Sequence, residues 1–526
     1  MKSLNLSPEK VSQFSRSWAP VFPSFLRIAS HPDGFFPSQH ITLRNALARG
    51  VLFPATVLVF PNDLFQKKPA DIRVHFLGIC GVAMGPLAIE LQRLGYQVSG
   101  SDDQSHPPIS LLLESKNIAI EPFDSEKTFH VDLVVAGRAA TSDSPLPASL
   151  ISSRVPVLSY PDLIAHFISG ATQRVAVVGT KGKTTTTAML AWIAECAGLS
   201  PDFLIGGIPG NFPSGIRLAG SHLAILEGDE YASSPTDLTP KFLRYEPTSV
   251  VLTNIHPDHE DLYPNYADYE ALFSQLLGAL HAPGFAVICG DVSSNTQRAI
   301  DAASIPVASV GWENTNQYRI TNYQLDTNAT RFSFFGQSFH LPLLGKANVL
   351  DAALATVAAH RLGIAPAIST EALRTFFPVL ERLQPAGLPG GRHLFIESSA
   401  HPASIRIALE TLRENYRAGR LLCVVQPQFP GSSDGYVQRH LPEALASATH
   451  VVVAPPASPI DIDPPFSCER LVADLTERGV TAAYRRRRSE IVSWVREHSA
   501  PGDTILLAAH TPSRTLLLDE ISRALQ

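Results

Sequence analysis

The sequence predicts an α/β protein made of three successive domains with parallel β-sheets. At 526 residues, the chain is too long for one compact core and suits about three domains. Strands lead through glycine-rich turns into amphipathic helices at 73–102 and again at 174–199. Towards the C-terminus, the apolar segments RLLCVVQP, THVVVAP and DTILLAA alternate with helical stretches, which is typical of buried parallel strands.

Composition and cysteine usage argue against several classes of protein. The 42 basic and 48 acidic residues give a net charge of −6, so we expect neither a nucleic-acid partner nor membrane insertion. The 5 cysteines show no metal-binding or disulfide spacing, which indicates reduced thiols and a cytoplasmic protein. The apolar stretch 51–60 is too short to span a bilayer. We expect no signal peptide, because no charged start precedes an apolar run.

The chain starts with residues 1–70, which are rich in Pro, Phe and His and show no periodic pattern, so we interpret them as an N-terminal extension of unknown role. The first predicted domain, 71–170, opens with the strand IRVHFLGICG and a tight turn that contains Gly78 and Gly81. A helix and a second strand follow, and this strand ends at Asp102. An acid about twenty residues after such a turn suits a ribose hydroxyl, so the unit predicts a nucleotide-type ligand. A tight turn that binds no ligand is the alternative.

The second predicted domain, 171–378, opens with a strand, a short phosphate-binding loop and a helix. Only 2 residues separate the first glycine from the Gly-Lys pair, whereas the common G-x-x-x-x-G-K pattern is longer. Backbone N–H groups would cradle phosphates, Lys183 would neutralise the β and γ oxygens, and the Thr184 hydroxyl would reach Mg²⁺. The alternative is a basic, threonine-rich turn. The residues predicted to bind nucleotide here are Gly179, Thr180, Lys181, Gly182, Lys183, Thr184 and Thr185.

Two acidic clusters follow later apolar strands, one in EGDEY and one in TNIHPDHED. Hard oxygen ligands beside a phosphate loop suit a Mg²⁺–triphosphate site. Each cluster alone would be solvated loop charge or a helix cap, but two in succession after a phosphate loop favour a site. The polar residues of the clusters are Glu227, Asp229, Glu230, Asn254, Asp258, His259 and Asp261.

The motifs GTKGKTTT, EGDE and TNIHPDHED, in this order, resemble the Mur ligases of peptidoglycan synthesis. The start GICGVAMGPLA…VSGSD is similar to the members that bind UDP-N-acetylmuramic acid in their first domain. The resemblance implies the three-domain Mur ligase architecture. It consists of a Rossmann-like UDP-sugar-binding domain at 71–170, a P-loop ATPase domain at 171–378 and a C-terminal Rossmann-like ligase domain at 379–526.

The chemistry implied by the resemblance is amide formation with ATP and Mg²⁺. ATP phosphorylates the lactyl carboxylate of UDP-N-acetylmuramic acid, and an amine then attacks the acyl phosphate. The segment FLIGGIPGNF is similar to members whose amine is the tripeptide L-Ala-γ-D-Glu-meso-diaminopimelate. L-alanine is the alternative acceptor, and a non-catalytic relative that binds nucleotide or UDP-muramic acid is the alternative from another class. The resemblance assigns catalysis to Lys183, Glu227 and His259, metal binding to Thr184, Glu227 and His259, and UDP-sugar binding to Gly78, Gly81 and Asp102.

The third predicted domain departs from the family pattern. In LLGKANVLDAAL, Ala347 replaces a histidine and Asp351 replaces an asparagine, both expected on the purine side of the nucleotide. In IESSAHP, Ala400 replaces another histidine, and AAHTPSRTL replaces a glycine-rich stretch. We therefore expect weak, base-tolerant binding of ATP. The remaining nucleotide contacts implied by the resemblance are Asn254, Asn348, Arg382 and Glu397.

Overall fold

The computed structural model describes most of the chain from Pro61 onward. The predicted extension up to residue 60, the predicted metal ligand His259 with Asp258 and Asp261, and the substituted Ala400 lie outside the described residues. Among the described helices, none is long and apolar enough to cross a membrane. The structure describes residues 61, 63–81, 83–103, 109–123, 130–137, 155–233, 239–256, 263, 265–290, 292, 294–301, 303–326, 328–399, 401–427, 436–456, 466–509 and 513–526.

The N-terminal unit is a five-stranded parallel sheet with helices packed against it. Its strands are β1 (Arg73–Leu77), β2 (Gln97–Ser101), β3 (Ala119–Glu121), β4 (Leu133–Ala136) and β5 (Val157–Ser159). Its helices are α1 (Met84–Arg93), α2 (Ile109–Ser115) and α3 (Tyr160–Phe167). The strand order is β3-β2-β1-β4-β5, so the glycine-rich turn after β1 lies at the middle of the carboxyl edge.

The central unit is an eight-stranded sheet that is parallel except for one edge strand. Its strands are β6 (Gln173–Val178), β7 (Asp202–Leu204), β8 (Ile216–Arg217), β9 (Leu223–Glu227), β10 (Ser249–Leu252), β11 (Ala286–Cys289), β12 (Val307–Gly311) and β13 (Tyr318–Arg319). Its helices are α4 (Lys183–Cys196), α5 (Lys241–Arg244), α6 (Tyr266–Gly278), α7 (Ser294–Asp301), α8 (Lys346–Arg361) and α9 (Pro366–Arg374). The order β13-β12-β11-β10-β6-β9-β7-β8 places β6 between β9 and β10. The loops after these three strands therefore meet at one edge.

A small antiparallel sheet precedes α8 and completes the core around α4. Its strands are β14 (Thr321–Asp326), β15 (Ala329–Phe334) and β16 (Gln337–Leu341). Phe332, Phe334 and Phe339 are buried with apolar residues of α4 and α8. This packing fixes the start of α8 beside the start of α4, where the phosphate loop lies.

The C-terminal unit is a six-stranded sheet with one antiparallel edge strand. Its strands are β17 (Gln384–Gly387), β18 (His393–Glu397), β19 (Leu421–Val425), β20 (His450–Val453), β21 (Thr481–Tyr484) and β22 (Thr504–Ala508), in the order β17-β18-β22-β19-β20-β21. Its helices are α10 (Pro402–Asn415), α11 (Tyr436–Leu445), α12 (Cys468–Glu477), α13 (Arg488–His498) and α14 (Ser513–Leu525). The three apolar segments predicted as buried strands are β19, β20 and β22, and all three are parallel members of the sheet. The predicted α/β class is confirmed.

Candidate active site

The loop between β6 and α4 requires glycine at two positions. Gly179 and Gly182 have φ values of 125° and 86°, a region that side chains other than glycine rarely adopt. A Cβ on Gly179 would lie 2.4 Å from the Thr253 hydroxyl, and a Cβ on Gly182 would lie 2.4 Å from Asp351 Oδ1. The loop is thus pressed against β10 on one side and α8 on the other, with the helix N-terminus behind it.

Residues after β10 brace this loop through its own backbone. The Lys181 carbonyl accepts hydrogen bonds from the Thr253 hydroxyl at 2.6 Å and from Asn254 Nδ2 at 2.8 Å. The Lys181 N–H donates to Asn254 Oδ1 at 3.0 Å. Sequence reasoning expected Asn254 to contact nucleotide; both polar atoms of its side chain are engaged in holding the loop. Its nucleotide contact stays a prediction, and bracing is the role that the geometry adds.

Lys183, the first residue of α4, forms an ion pair with Glu230. The distance from Nζ to Oε2 is 2.7 Å, and the Glu230 side chain is 0% exposed. The Tyr269 hydroxyl also donates to Glu230 Oε1 at 3.4 Å. Burial acts to lower the pKa of Lys183, but neighbouring carboxylates, Glu230 foremost, outweigh it and raise this pKa above its ordinary value. The lysine is therefore a fixed positive charge in the site.

Glu227 ends β9 beside the hydroxyl of Thr184. Thr184 Oγ1 donates to Oε1 at 2.9 Å, and the N–H of Gly206 donates to Oε2 at 2.6 Å. Burial raises the pKa of Glu227, while the charge of Lys183 opposes the shift. The Glu227 carboxylate at the end of a strand and the Thr184 hydroxyl at the start of a helix are hard oxygen donors, and a cation would compensate the charge of this partly buried acid. The pair therefore fits Mg²⁺.

One cavity of about 530 Å³ joins these groups to the C-terminal unit. Its walls come from all three units, because α3, the loops of the central unit and α10 all face it. Of the described residues that the phosphate loop and the family resemblance assign to nucleotide or metal binding, Gly179 alone is not in the cavity wall. The others line the cavity: Thr180, Lys181, Gly182, Lys183, Thr184, Thr185, Glu227, Asn254, Asn348, Arg382 and Glu397. A cavity of this size suits a nucleotide and part of a second substrate.

Arg382 and Glu397 form the wall contributed by the C-terminal unit. One Arg382 nitrogen lies 3.5 Å from Glu397 Oε1, and the arginine side chain is 41% exposed. Glu397 also accepts backbone N–H groups of Leu383 and Ser399, each at 3.0 Å. Burial raises the pKa of Glu397, and the charge of Arg382 opposes this shift. Sequence reasoning expected Glu397 to bind nucleotide, and this contact stays a prediction; the hydrogen bonds that it forms in the structure shape the turn that carries Arg382.

The substituted positions of α8 lie along the same cavity. Asn348 Nδ2 donates to the Leu344 carbonyl at 2.7 Å, and Ala347 is exposed beside it. Asp351 is buried against Gly182, and burial raises the pKa of its carboxyl well above the ordinary range, with Thr186 opposing the shift. The structure thus places Asp351 directly on the phosphate loop, a position that the sequence alone did not indicate.

The residues predicted to bind the UDP-sugar form a separate group at the carboxyl edge of the N-terminal sheet. Asp102 Oδ2 accepts the N–H of Cys80 at 2.9 Å, and the N–H of Gly78 donates to the Ser101 carbonyl at 2.8 Å. The N–H of Gly81 donates to the Gly78 carbonyl at 3.1 Å. Asp102 therefore orders the glycine-rich turn. None of the three predicted residues is in the wall of the main cavity.

Sequence reasoning named Asp229 but missed the polar and aromatic wall that it belongs to, between the N-terminal and central units. Lys241 Nζ lies 2.6 Å from Asp229 Oδ2 and 5.9 Å from the ring centre of Tyr231. Tyr160, the first residue of α3, and Tyr245, which follows α5, line the same region. The segment DEYASSPTDLTPKFLRYEP begins with the acids Asp229 and Glu230 of the cluster, which is a local signal, but the position of Lys241 and Tyr245 at the cavity depends on the fold.

Two family models match the chain: "Mur ligase family, catalytic domain" over residues 73–172 and "Mur ligase middle domain" over residues 177–359. A UDP-N-acetylmuramate–L-alanyl-γ-D-glutamyl-meso-2,6-diaminoheptandioate ligase of Escherichia coli (strain K12) is 30% identical over 392 residues, 73% of this chain and 85% of the relative. A UDP-N-acetylmuramate–L-alanine ligase of Anaeromyxobacter dehalogenans (strain 2CP-C) is 29% identical over 370 residues, 69% of this chain and 78% of the relative.

Solved structures agree with the architecture. The crystal structure of a UDP-N-acetylmuramate-alanine ligase from Thermotoga maritima superposes with a TM-score of 0.69 at 21% identity, covering 86% of this chain and 98% of that one. This likeness shows the fold, and the sequence relatives show the family. The chain belongs to the Mur ligase family, with the three-domain architecture of these ATP-dependent ligases of peptidoglycan synthesis.

Proposed function

We propose that this ligase joins the lactyl carboxylate of UDP-N-acetylmuramate to the amine of L-Ala-γ-D-Glu-meso-diaminopimelate. The observation that supports the proposal is the single cavity in which Lys183, Thr184, Glu227 and Arg382 converge from two units of the fold. Two cations and two hard oxygen donors around one space suit a triphosphate. The N-terminal unit contributes Ala83 and Tyr160 to the wall, so a second substrate held by that unit would reach the same cavity.

Each unit has a proposed task. Residues 71–170 bind the UDP-sugar, 171–378 bind ATP, and 379–526 close the site and receive the amine. The sugar-binding group of Gly78, Gly81 and Asp102 would hold the UDP moiety outside the main cavity, so that the lactyl carboxylate extends into it. Buried free thiols in both the central and the C-terminal unit suit a reducing compartment, and we propose a cytoplasmic location.

In the proposed first step, a lactyl carboxylate oxygen attacks the γ-phosphorus of ATP. The bond from this phosphorus to the β–γ bridging oxygen breaks, and ADP departs from an acyl phosphate. Lys183 exchanges its partner Glu230 for phosphate oxygens, and Arg382 faces the same phosphates from the C-terminal wall. Neutralised charge and fixed orientation lower the barrier, because phosphoryl transfer needs little further chemistry from the protein.

In the proposed second step, the neutral amine of the acceptor attacks the acyl carbon. The tetrahedral oxyanion collapses, and the C–O bond to phosphate breaks with its electron pair on the leaving phosphate. The nitrogen loses its extra proton to solvent, and an amide remains. Lys183 and Arg382 would stabilise the oxyanion, because both are cations within the same cavity.

The proposed reaction needs residues that would hold Mg²⁺. We propose that these are Thr184 and Glu227, which already share a 2.9 Å contact, together with His259. When bound, Mg²⁺ neutralises phosphate charge and orients the γ-phosphoryl group. Glu227 suits this role because its other oxygen is fixed by Gly206, which restrains the carboxylate in one orientation.

The tripeptide is the proposed acceptor on two grounds. The Escherichia coli relative is named for that tripeptide, and the segment Phe203–Phe212, which suggested it in the sequence, lies at the junction of the central and C-terminal units. Its Gly206 N–H binds Glu227, and Asn211 contacts residues on the way to the C-terminal unit. L-alanine is the second candidate, which the name of the Anaeromyxobacter dehalogenans relative supports.

The test is a product analysis. Purified protein is incubated with ATP, Mg²⁺ and UDP-N-acetylmuramate, tripeptide or L-alanine is added, and the products are weighed by mass spectrometry. We expect the tripeptide adduct to form much faster, because remote groups of the tripeptide supply binding energy that alanine lacks. Equal or faster reaction with L-alanine transfers the assignment to the second candidate. Bound UDP-sugar without any adduct identifies a non-catalytic binding protein.

A further inference from the structure

The backbone hydrogen bonds of the chain change from the central to the C-terminal unit between Leu380 and Glu381, two residues after the boundary predicted from the sequence. The residues up to Leu380 are bonded to the central unit. The N–H of Leu380 donates to the Ile208 carbonyl at 2.9 Å, and the N–H of Phe377 donates to Asn211 Oδ1 at 2.7 Å. Glu381 itself is bonded to the C-terminal unit, because the N–H of Ser398 donates to its carbonyl at 2.9 Å. The boundary is therefore sharp.

The three residues directly after this boundary form what we call the hinge turn, Glu381–Leu383. Glu381 has a φ of 67° and Leu383 a φ of 40°, both in the left-handed region that favours glycine. Arg382 lies between them and lines the cavity. Left-handed residues other than glycine persist only where surrounding contacts hold them. Two such residues flank Arg382, so surrounding contacts must hold this turn in place.

Contacts from both sides hold the hinge turn. Glu397 accepts the Leu383 N–H at 3.0 Å from within the cavity wall. On the other side, Arg514 forms an ion pair with the Glu381 carboxylate. The Arg514 side chain is only 3% exposed, and its guanidinium also donates to the Ala509 carbonyl at 3.2 Å. A buried arginine tied to a half-exposed glutamate fixes the direction of the turn, because little freedom remains to either group.

We propose that Arg514 is a positioning residue: through Glu381 it sets the hinge turn so that Arg382 faces the nucleotide phosphates. This inference rests on the proposed function, since it takes ATP as the ligand of the cavity. Arg514 belongs to AAHTPSRTL, the segment that replaces the family's glycine-rich stretch. The replacement therefore has a consequence for the site, although this segment is far from the phosphate loop in sequence.

The experiment compares ion pairs of the C-terminal unit. Arg514→Met and Glu381→Gln remove the pair at the hinge turn, and Glu381→Arg/Arg514→Glu reverses it. Arg420→Met is the matched control, because Arg420 pairs with Asp503 at 2.9 Å on the opposite, amino edge of the sheet. Three readouts are measured on the full chain: melting temperature, the dissociation constant of ATP with Mg²⁺ in the absence of UDP-sugar, and kcat and KM in the ligation assay.

We expect Arg514→Met and Glu381→Gln to weaken ATP binding about tenfold and to lower kcat, with KM for UDP-N-acetylmuramate within about twofold of wild type. The charge reversal should recover part of the loss, and Arg420→Met should change melting temperature alone. ATP binding and kcat within about twofold of wild type in Arg514→Met would overturn the proposal, even if melting temperature fell. Wild-type protein that binds ATP but ligates neither amine contradicts the proposed function, while the ATP dissociation constants still decide the role of Arg514.

Discussion

Lys183, which lines the cavity that is proposed to receive ATP, is paired with the buried Glu230 behind the cavity wall, with 2.7 Å between Nζ and Oε2. The positive charge of the loop lysine is thus balanced by Glu230 in the protein itself, and incoming phosphate oxygens have to compete with a buried carboxylate. A multiply charged ligand competes better than a singly charged one, because the attraction to the ammonium scales with ligand charge. The pair therefore favours polyphosphates over small anions such as chloride.

Replacing the loop lysine tests the phosphate site. We expect Lys183→Ala to abolish ligation, since a cation on the transferring phosphoryl group is lost. The variant also leaves Glu230 buried without its cation, so its free energy of unfolding should fall by about 3–5 kcal/mol. Activity is measured by product formation and stability by urea denaturation.

The double variant Lys183→Met/Glu230→Gln separates the two effects. It removes both charges, so stability should return towards that of the wild-type protein while ligation stays absent. Turnover near the wild-type rate in either folded variant would refute the assignment of Lys183.

Glu227 is expected to control the response to divalent cations. Glu227→Gln keeps the size of the side chain and can accept one of the two hydrogen bonds from Thr184 and Gly206, but it removes the charge that a hard cation needs. The Mg²⁺ concentration for half-maximal activity should rise at least about tenfold. Glu195→Gln is the control, because Glu195 pairs with Arg217 at 2.6 Å outside the cavity. An unchanged Mg²⁺ titration in Glu227→Gln would remove this residue from the metal site.

Ala347 is expected to account for part of a weak nucleotide affinity. Ala347→His reintroduces a hydrogen-bonding side chain in the cavity wall, and one neutral hydrogen bond of about 1 kcal/mol corresponds to roughly a fivefold lower KM for ATP. The preference for ATP over GTP should rise as well. Ala365→His, on the exposed start of α9, should leave both quantities unchanged. Tight ATP binding and strong rejection of GTP in the wild-type protein would contradict the expectation.

Asp351 predicts a pH-dependent stability difference. Burial raises the pKa of this carboxyl above its ordinary value, so the folded protein retains a proton that the unfolded chain releases. Stability from this group therefore falls as pH rises from the ordinary carboxyl pKa to the raised one. Asp351→Asn removes the titration, and its melting temperature relative to wild type should increase between pH 5 and pH 8. A constant difference across that range would show that Asp351 is ionised throughout.

Asp503 is a control for which the pKa shift, and hence the pH dependence of stability, has the opposite sign to that of Asp351. Burial acts to raise its pKa, but backbone N–H groups and Arg420 outweigh this and lower it. Its carboxylate thus stabilises the fold above the ordinary carboxyl pKa, and this contribution is lost as pH falls through the lowered pKa. Asp503→Asn should therefore be less stable than wild type at neutral pH, with a deficit that shrinks towards acid pH.

The sequence predicted the elements whose signals are local. A strand, a glycine loop and a helix start follow one another without interruption, so the order of residues alone placed Lys183 and Thr184 at a strand-to-helix junction. The buried strands of the C-terminal sheet could be predicted equally well, because a continuous run of apolar residues indicates a buried strand. Glu227 at the end of β9 followed from the same reasoning.

Contacts between residues that are distant in sequence could not be predicted from such local patterns. Glu230 was expected among metal-binding acids, yet it pairs with Lys183, because β6 and β9 are neighbours only in the folded sheet. Asp351 was expected on the purine side, and the packing of α8 against α4 places it on the phosphate loop. The contact between Arg514 and Glu381 has no local signature at all. Such contacts depend on strand order and helix packing, which a single sequence does not encode in its spacing.

The loop after β7 links cation binding at Glu227 to the closure of the C-terminal unit on the central unit. Gly206 holds a Glu227 oxygen, and two residues later Ile208 accepts the Leu380 N–H at the edge of the hinge turn. A change in the angle between the units therefore displaces the same short segment that orients the proposed metal ligand. By thermodynamic reciprocity, any closure that tightens cation binding must itself be promoted by the cation to the same degree. Divalent ions would then act on this enzyme as an allosteric effector of its shape, in advance of phosphoryl transfer.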